Sequence, residues 1–529
     1  MSEASTNSYD ELPYPGSPFP QTHPDRLALI GRLFGMQPPA VDSCRVLELG
    51  CTDGGNLIPM AIELPGSEFV GIDLSRRQIE QGQATLDALQ LPNIRLLHQD
   101  IMDLADEHGQ FDYIIAHGVF SWVPRKVQDR ILEAVRRLLT PQGIAYVSYN
   151  TYPGWHMRGM LRDMMLFHTR QFSDTKTRIE QARALINFLA EAVPGGDSDP
   201  YRLLLTRELE SMQNWADSYI FHESLEAHND PLYFHQFVER AGHCHLRYLG
   251  EANIGAMLAS DFPDSVARTL GEIGRDIIEM EQYMDFVRNR TFRQTLLCHE
   301  EVSLDRRLTS DVCSDMYILS YLQPMADDVD LHSDGAMQFQ SPQGVVVTAR
   351  APLQKAAFRL LANEYPRAIH FPELLRRARS AIEGRRYAVR EAAELESGNV
   401  DLRESIFKCF CDQLIDLRVT PTPFVTAPGD RPLASPLARL QAEPNGYVTT
   451  LGHEQVRLDT LNAHLLRRLD GAHDRNALLE VLCQLHADGT IVATRDGEPF
   501  DDPDTVAGVL EEQLDMRIGE LAGMGLLLA

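Results

Sequence analysis

The chain has 529 residues, 44% of them hydrophobic and 24% charged, with a formal net charge of −27. That length predicts about three to four structural units and leaves enough apolar residues for several cores. The acidity argues against a nucleic-acid binder, whose affinity rests on basic contacts to phosphate, and no apolar run approaches the ~20 residues of a membrane span. The opening stretch has no basic region followed by an apolar one, so it does not read as a secretion signal, and the expected location is the cytoplasm. An acidic surface attracts cationic partners, although solubility accounts for the same charge. The eight cysteines form no C-x-x-C pair, so neither a disulfide framework nor a zinc ribbon is expected. His243, Cys244 and His245 read as strand residues beside a turn, pointing to alternate faces, and no metal is expected.

From residue 45 to 149 short apolar strands alternate with helical patterns, as in a parallel sheet. RVLELG (45–50) is the first strand, residues 56–64 a helix and EFVGID (68–73) the second strand. Ser75 caps a helix reaching about Leu89. NIRLLHQD (93–100) and FDYIIAHG (111–118) are the third and fourth strands. Pro124 opens a helix reaching Leu139, and GIAYVSYN (143–150) is the fifth strand. Helices follow without strands: Ile179, Ala182, Ile186, Leu189 and Val193 form one stripe, and 201–212 is another helix. The α/β pattern then resumes with a helix over 234–241 broken by Gly242, a strand over 245–249 and a last strand over 292–298. The helices of about 154–228 thus interrupt one sheet domain, standing over the carboxyl ends of its strands, where open α/β folds bind ligands.

The predicted organisation is a seven-stranded, Rossmann-like α/β domain over 1–301, a regulatory or middle module over 302–430, and a C-terminal module over 431–529. In the middle module a strand (345–347) precedes helices over 352–363, 372–380 and 402–417, and a Pro-rich linker (421–436) ends it. The last module repeats the scheme, with an extended 456–458 and helices over 462–469, 475–486 and 505–521. One strand and three helices in each read as winged-helix-like α+β units. The acidic chain favours protein contact over DNA for them.

The chemistry concentrates in VLELGCTDGGN (46–56). Glu48 ends an apolar strand, and Gly50, Gly54 and Gly55 let the backbone turn tightly and approach a ligand. The turn is out of register with G-x-G-x-x-G, and Glu48 puts negative charge where a pyrophosphate would lie. A ligand bearing an ammonium and a sulfonium suits it better. Asp73 in GIDLS (71–75) lies at the distance where a carboxylate binds ribose hydroxyls. Asp100 can accept from an adenine amino group while Ile101 packs on the ring. AHGVFSWV (116–123) leads off the fourth strand toward the transferring methyl. It lacks the Asn-Pro-Pro-Tyr type of motif, which disfavours methyltransferases of nucleobase amines or glutamine amides.

In this order, at successive strand ends, these pieces resemble the class I methyltransferase set. Further stretches carry the likeness: SYDELPYPGSPFPQTHPDRL (8–27), AHGVFSWVP (116–124), SYNTYPGW (148–155), NDPLYFHQFVERA (229–241) and EQYMDFVRNRTFRQTLLC (281–298). Together they resemble the bacterial methyltransferases with an attached regulatory domain, a group that includes protein-lysine methyltransferases acting on outer-membrane proteins. The resemblance implies S-adenosylmethionine as cofactor, S-adenosylhomocysteine as product and, as acceptor, a lysine side chain on a protein. It implies cofactor contacts from Tyr9, Glu48, Gly50, Cys51, Gly54, Asn56, Asp73, Leu74, Asp100, Ile101, His117, Gly118, Val119 and Trp122. His117, Tyr149, Tyr152 and Trp155 are the expected catalytic residues, with Tyr14, His23, Phe120, His156, Tyr233, Phe234 and His235 as further candidates for an aromatic channel. The N-terminal arm with Tyr9 and Tyr14 is expected to close over the cofactor. The C-terminal modules are expected to present the substrate protein or hold a homodimer. A small-molecule methyltransferase and an inactive cofactor-binding scaffold are the competing readings.

Overall fold

The computed structural model describes residues 12–14, 16–193, 199–213, 215–326, 331–332, 335–382, 392–492, 494–495, 498–499 and 503–528. Its centre is a seven-stranded sheet: β1 (Arg45–Leu49), β2 (Glu68–Asp73), β3 (Ile94–His98), β4 (Phe111–Ala116), β5 (Leu139–Asn150), β6 (Leu246–Glu251) and β7 (Phe292–His299). The spatial order is β3-β2-β1-β4-β5-β7-β6. The first five strands run parallel, and β7 lies antiparallel to both β5 and β6. Order reverses between β1 and β4, which opens a crevice at the carboxyl edge.

Strand alternation builds two cores. Val46, Phe69, Tyr113 and Tyr146 face one side. Leu47, Val70, Ile114 and Val147 face the other, under the helix Arg125–Leu138. The first core continues without a break through helix Pro24–Leu33 into residues 313–417. Pro24 sits in the first turn of that helix, where its missing N–H costs nothing, and the His23 ring accepts from Asp25 N. The Pro-rich arm therefore leads into a helix that the sequence reading missed. Two more helices, Asp264–Ile273 and Ile277–Arg288, were also missed.

The insertion leaves the end of β5 as helices Trp155–Thr169, Thr175–Ala192 and Pro200–Gln213, then Asp217–Ile220 and a π turn Phe221–Leu225. It has its own small core, with Leu161, Met165, Ile179, Ala182 and Ile186 at its centre. Leu189 and Val193 of the predicted stripe pack only at its margin. In the middle module, Ile415–Arg418 is a strand paired with Tyr317–Ser320, not the tail of a helix; the preceding helix, Ala392–Cys411, ends first. The C-terminal module packs helices Thr460–Leu466, Arg475–Ala487 and Pro503–Gly523 around a separate core.

The His243–His245 run is a turn rather than a strand. His243 ends helix Phe234–His243, which includes Gly242, and His245 takes a left-handed φ of 56°. Among the described residues no helix is long and apolar enough to cross a membrane, and no three His, Cys, Asp or Glu side chains are grouped to hold a metal ion.

Candidate active site

Because β1 to β4 are parallel, Glu48, Asp73, Asp100 and His117 come to one edge of the sheet. Asp73, the last residue of β2, receives Thr52 N on Oδ2 (2.9 Å) and Ser75 N on Oδ1 (2.8 Å). These bonds hold the first turn against the second and aim the carboxylate at the crevice. Asp100 caps a short 3-10 turn through Met102 N (2.9 Å) and places Ile101 beside it. Leu74 stands 55% exposed next to Asp73, an apolar surface available to a ring.

Glu48 is buried, and its Oε1 accepts from Asn56 Nδ2 at 2.7 Å. Its Oε2 is buried with no hydrogen-bond partner among the described residues. Burial, with Asp73 and Asp53 adding and the Asn56 bond opposing, pushes the carboxyl up to about 8. A buried anion without a partner prefers to hold its proton.

The glycines of the turn make room for protein atoms as well as for a ligand. Gly50 has φ +77°, and a Cβ there would meet Val119 Cγ2 at 2.4 Å; Gly54 has φ +79°. A Cβ on Gly55 would meet the Gly16 carbonyl carbon at 2.5 Å, so the N-terminal arm lies directly on the turn. The arm is fastened by Phe19 N to Asn56 Oδ1 (2.9 Å) and by Gln78 Nε2 to the Tyr14 carbonyl (2.6 Å). Tyr9 lies outside the described residues.

His117 follows β4 with its Nδ1 2.9 Å from Tyr146 Oη and its ring 3.9 Å, centroid to centroid, from Phe19. Burial pushes the imidazole down to about 4, so it is neutral at physiological pH. Gly118 donates to Ser148 Oγ (2.8 Å) and has open space beside it. Trp122 packs edge-on against Trp155, with centroids 6.0 Å apart. Tyr152 stacks on His156 (4.1 Å) and adjoins Tyr233, whose ring stacks on His235.

Other candidates face elsewhere. Tyr149 is fully buried, stacked on Phe237 and linked to Thr295, and Phe120 packs in the same core. The Cys51 thiol points into the first core beside Gly71. His23 lies 3.1 Å from Glu63, and Phe234 is buried under Arg293. The sequence reading had no local signal for Glu223 or Trp215, which join Trp155, Arg158 and Arg162 around a small cavity between the helices of the insertion. The Glu223 side chain makes no hydrogen bond among the described residues. Burial, opposed by Arg158 and His222, pushes it up to about 7.

Carboxylates are acceptor-only groups. Glu48, Asp73 and Asp100 around a Gly-rich turn therefore fit a ligand offering hydroxyl, amino and cationic groups. The partnerless Glu48 oxygen is where such a cation would restore the ionised form. Sheet order and donor set together define a class I S-adenosylmethionine-dependent methyltransferase.

Comparison with known proteins agrees. Residues 47–145 match the methyltransferase domain family, 216–299 a predicted methyltransferase regulatory domain, and 430–526 the C-terminal winged helix domain of PKMT. The regulatory match thus falls N-terminal to the 302–430 segment given that role from sequence. The structure of PKMT2 from Rickettsia typhi in complex with AdoHcy superposes with a TM-score of 0.88 at 31% identity, over 98% of this chain and 100% of that one. A second structure of PKMT2 from Rickettsia typhi superposes with a TM-score of 0.86 at 31% identity over the same shares. RP789 of Rickettsia prowazekii is 33% identical over 532 aligned residues, covering 99% of this chain and 94% of its own. The chain belongs to this family of S-adenosylmethionine-dependent methyltransferases, which join a regulatory domain and a PKMT-type winged helix to the cofactor domain.

Proposed function

We propose that the chain methylates lysine side chains of a protein in the cytoplasm, with units at 1–301, 302–430 and 431–529. The end-to-end likeness to PKMT2, winged helix included, carries this reading. In it Glu48, Gly50, Gly54, Asn56, Asp73, Leu74, Asp100, Ile101, Gly118 and Val119 hold the cofactor. When bound, S-adenosylmethionine supplies an electrophilic methyl group on a sulfonium.

The chain's own task is to orient and deprotonate the acceptor. A lysine ammonium, with its usual pKa of ~10.4, reaching the mouth of the small cavity lined by Trp155, Trp215 and Glu223 loses water and gains aromatic faces. Desolvation and the nearby Arg158 and Arg162 lower its pKa. The Glu223 carboxylate, which no hydrogen bond satisfies among the described residues, takes the proton. Trp122 and Trp155 connect this cavity to the loop after β4, where neutral His117 walls the reacting site and donates no charge. The segment 302–529 presents the substrate protein or holds a second copy of the chain.

Mass spectrometry of lysate proteins incubated with the full chain and S-adenosylmethionine tests the reading. Methylated lysines are expected; methyl label confined to small molecules would replace the acceptor, and no label would leave a cofactor-binding scaffold. Glu223→Gln should lower kcat by roughly 100-fold, the low end for a general base, with S-adenosylhomocysteine affinity unchanged.

A further inference from the structure

Asn56 is held by both ends of the chain. Its Oδ1 receives the Phe19 backbone N–H, which cannot be exchanged for an acceptor, so the amide orientation is fixed. Nδ2 therefore faces Glu48 Oε1 (2.7 Å) and Thr22 Oγ1 (3.0 Å), and that hydroxyl in turn donates to the Phe19 carbonyl (2.8 Å). Oδ1 also lies 2.8 Å from His453 Nε2, from 397 positions away, and more loosely 3.3 Å from Thr22 Oγ1.

An amide oxygen only accepts, so His453 carries its proton on Nε2. Its Nδ1 is buried with no partner among the described residues. Burial, with the His23 and Arg418 charges adding to it, depresses the pKa well below the ordinary value and keeps the ring neutral. The residue projects from the turn between strands Tyr447–Thr449 and Gln455–Arg457 of the winged-helix module. A left-handed φ of 66° at His453 and bonds from Thr450 N to the Glu454 carbonyl (2.9 Å) and from His453 N to the Thr450 carbonyl (3.1 Å) make that turn rigid. His453 is 2% exposed, and its ring meets that of His23 edge-on at 5.4 Å.

We infer that His453 is a positioning residue of the cofactor site: the docked winged-helix module fixes the Asn56 amide and, through it, the Glu48 carboxylate. Linkage makes the coupling reciprocal, so cofactor binding also tightens the module's contact. The inference rests on the assignment of Glu48 to the cofactor pocket.

Calorimetric titration of the full chain with S-adenosylhomocysteine tests it. His453→Leu removes the donor and should weaken binding about tenfold, the loss of one buried hydrogen bond. His453→Gln, whose side-chain N–H can reach the same oxygen, should stay within about threefold of the native chain. In an Asn56→Ala background His453→Leu should make no further difference. Native affinity in His453→Leu, or an undiminished effect in the Asn56→Ala background, overturns the link. Glu48→Gln separates the two ideas: if it leaves affinity unchanged the pocket assignment fails, and if it weakens binding while His453→Leu does not, only the link fails. Hydrogen exchange on the unaltered chain needs no variant. S-adenosylhomocysteine should slow exchange at residues 450–454, and protection of 48–56 without any at 450–454 overturns the link.

Discussion

Buried carboxylates gather at two places against the same sheet, one of them completed by the helix Ile277–Arg288, and the chain treats them differently. At the β6–β7 edge Glu251, Glu281 and Asp285 surround Arg293, which is 0% exposed and donates to all three at 2.8–2.9 Å. Arg290 adds a bond to Glu251 (3.0 Å), and Tyr248 Oη one to Glu281 (2.8 Å). At the end of β1, Glu48 is as deeply buried but has a single amide donor on one oxygen. A buried charge persists where hydrogen bonds and opposite charge replace the lost water. In the first cluster the arginines hold Glu251 below its ordinary value and oppose the burial that lifts Glu281 and Asp285, while the second has no counter-charge and is left for a cationic ligand to complete. Abundance of acidic residues therefore marks no site; the missing counter-charge does.

Removing the counter-charge at Arg293 tests this contrast most severely. Arg293→Met should destabilise the fold by about 3–5 kcal/mol, because Glu281 loses its counter-charge and Glu251 and Asp285 are left to share Arg290. Thermal denaturation should show it, and a native melting profile would mean that protonation relieves the cluster instead. Glu48→Gln should act the other way round. Affinity for S-adenosylmethionine should fall about 10- to 100-fold, as for a hydrogen bond to a charged group, with no loss of melting temperature; a variant that melts early would make Glu48 structural.

The smallest effect is a proton. The folded value of Glu48, about 8, lies above its ordinary 4.5, so the folded chain holds this proton more tightly than the unfolded one. Its contribution to stability is intact below about pH 4.5 and is lost as pH rises through about 8. A cation bound beside it favours the ionised form. Calorimetry in two buffers of different ionisation enthalpy near neutral pH should then record release of a fraction of a proton. The native chain should release more than Glu48→Gln, and equal release would refute the shift.

The strands β1 to β5 and the helix between β2 and β3 were legible because apolar runs, an N-cap at Ser75 and strand-end acids are local signals. Prolines before residue 24 masked a helix that Pro24 in fact begins. Leu414, Ile415 and Leu417 continued an apolar pattern that tertiary pairing with Tyr317–Ser320 turns into a strand. Asp73 and Asp100 could be placed at one edge from strand order alone, but Tyr149 could not be sorted from them, since a strand residue faces pocket or core according to its register. Asn56 was legible as part of a motif. Its partner His453 was not, because nothing within a few residues of either announces a contact made across the whole chain.

The unbroken core that runs from helix Pro24–Leu33 into residues 313–417 has a consequence for how the enzyme is made. A nascent chain that has emerged only as far as Glu301 holds every strand of the sheet, yet the apolar flank that the middle module will cover is still bare. At roughly 5–20 residues per second, the stretch to Leu417 takes the ribosome roughly 6–23 s more. Throughout that interval the half-made methyltransferase is expected to expose the apolar surface that chaperones bind, and a chain ending there should aggregate rather than act as a smaller enzyme.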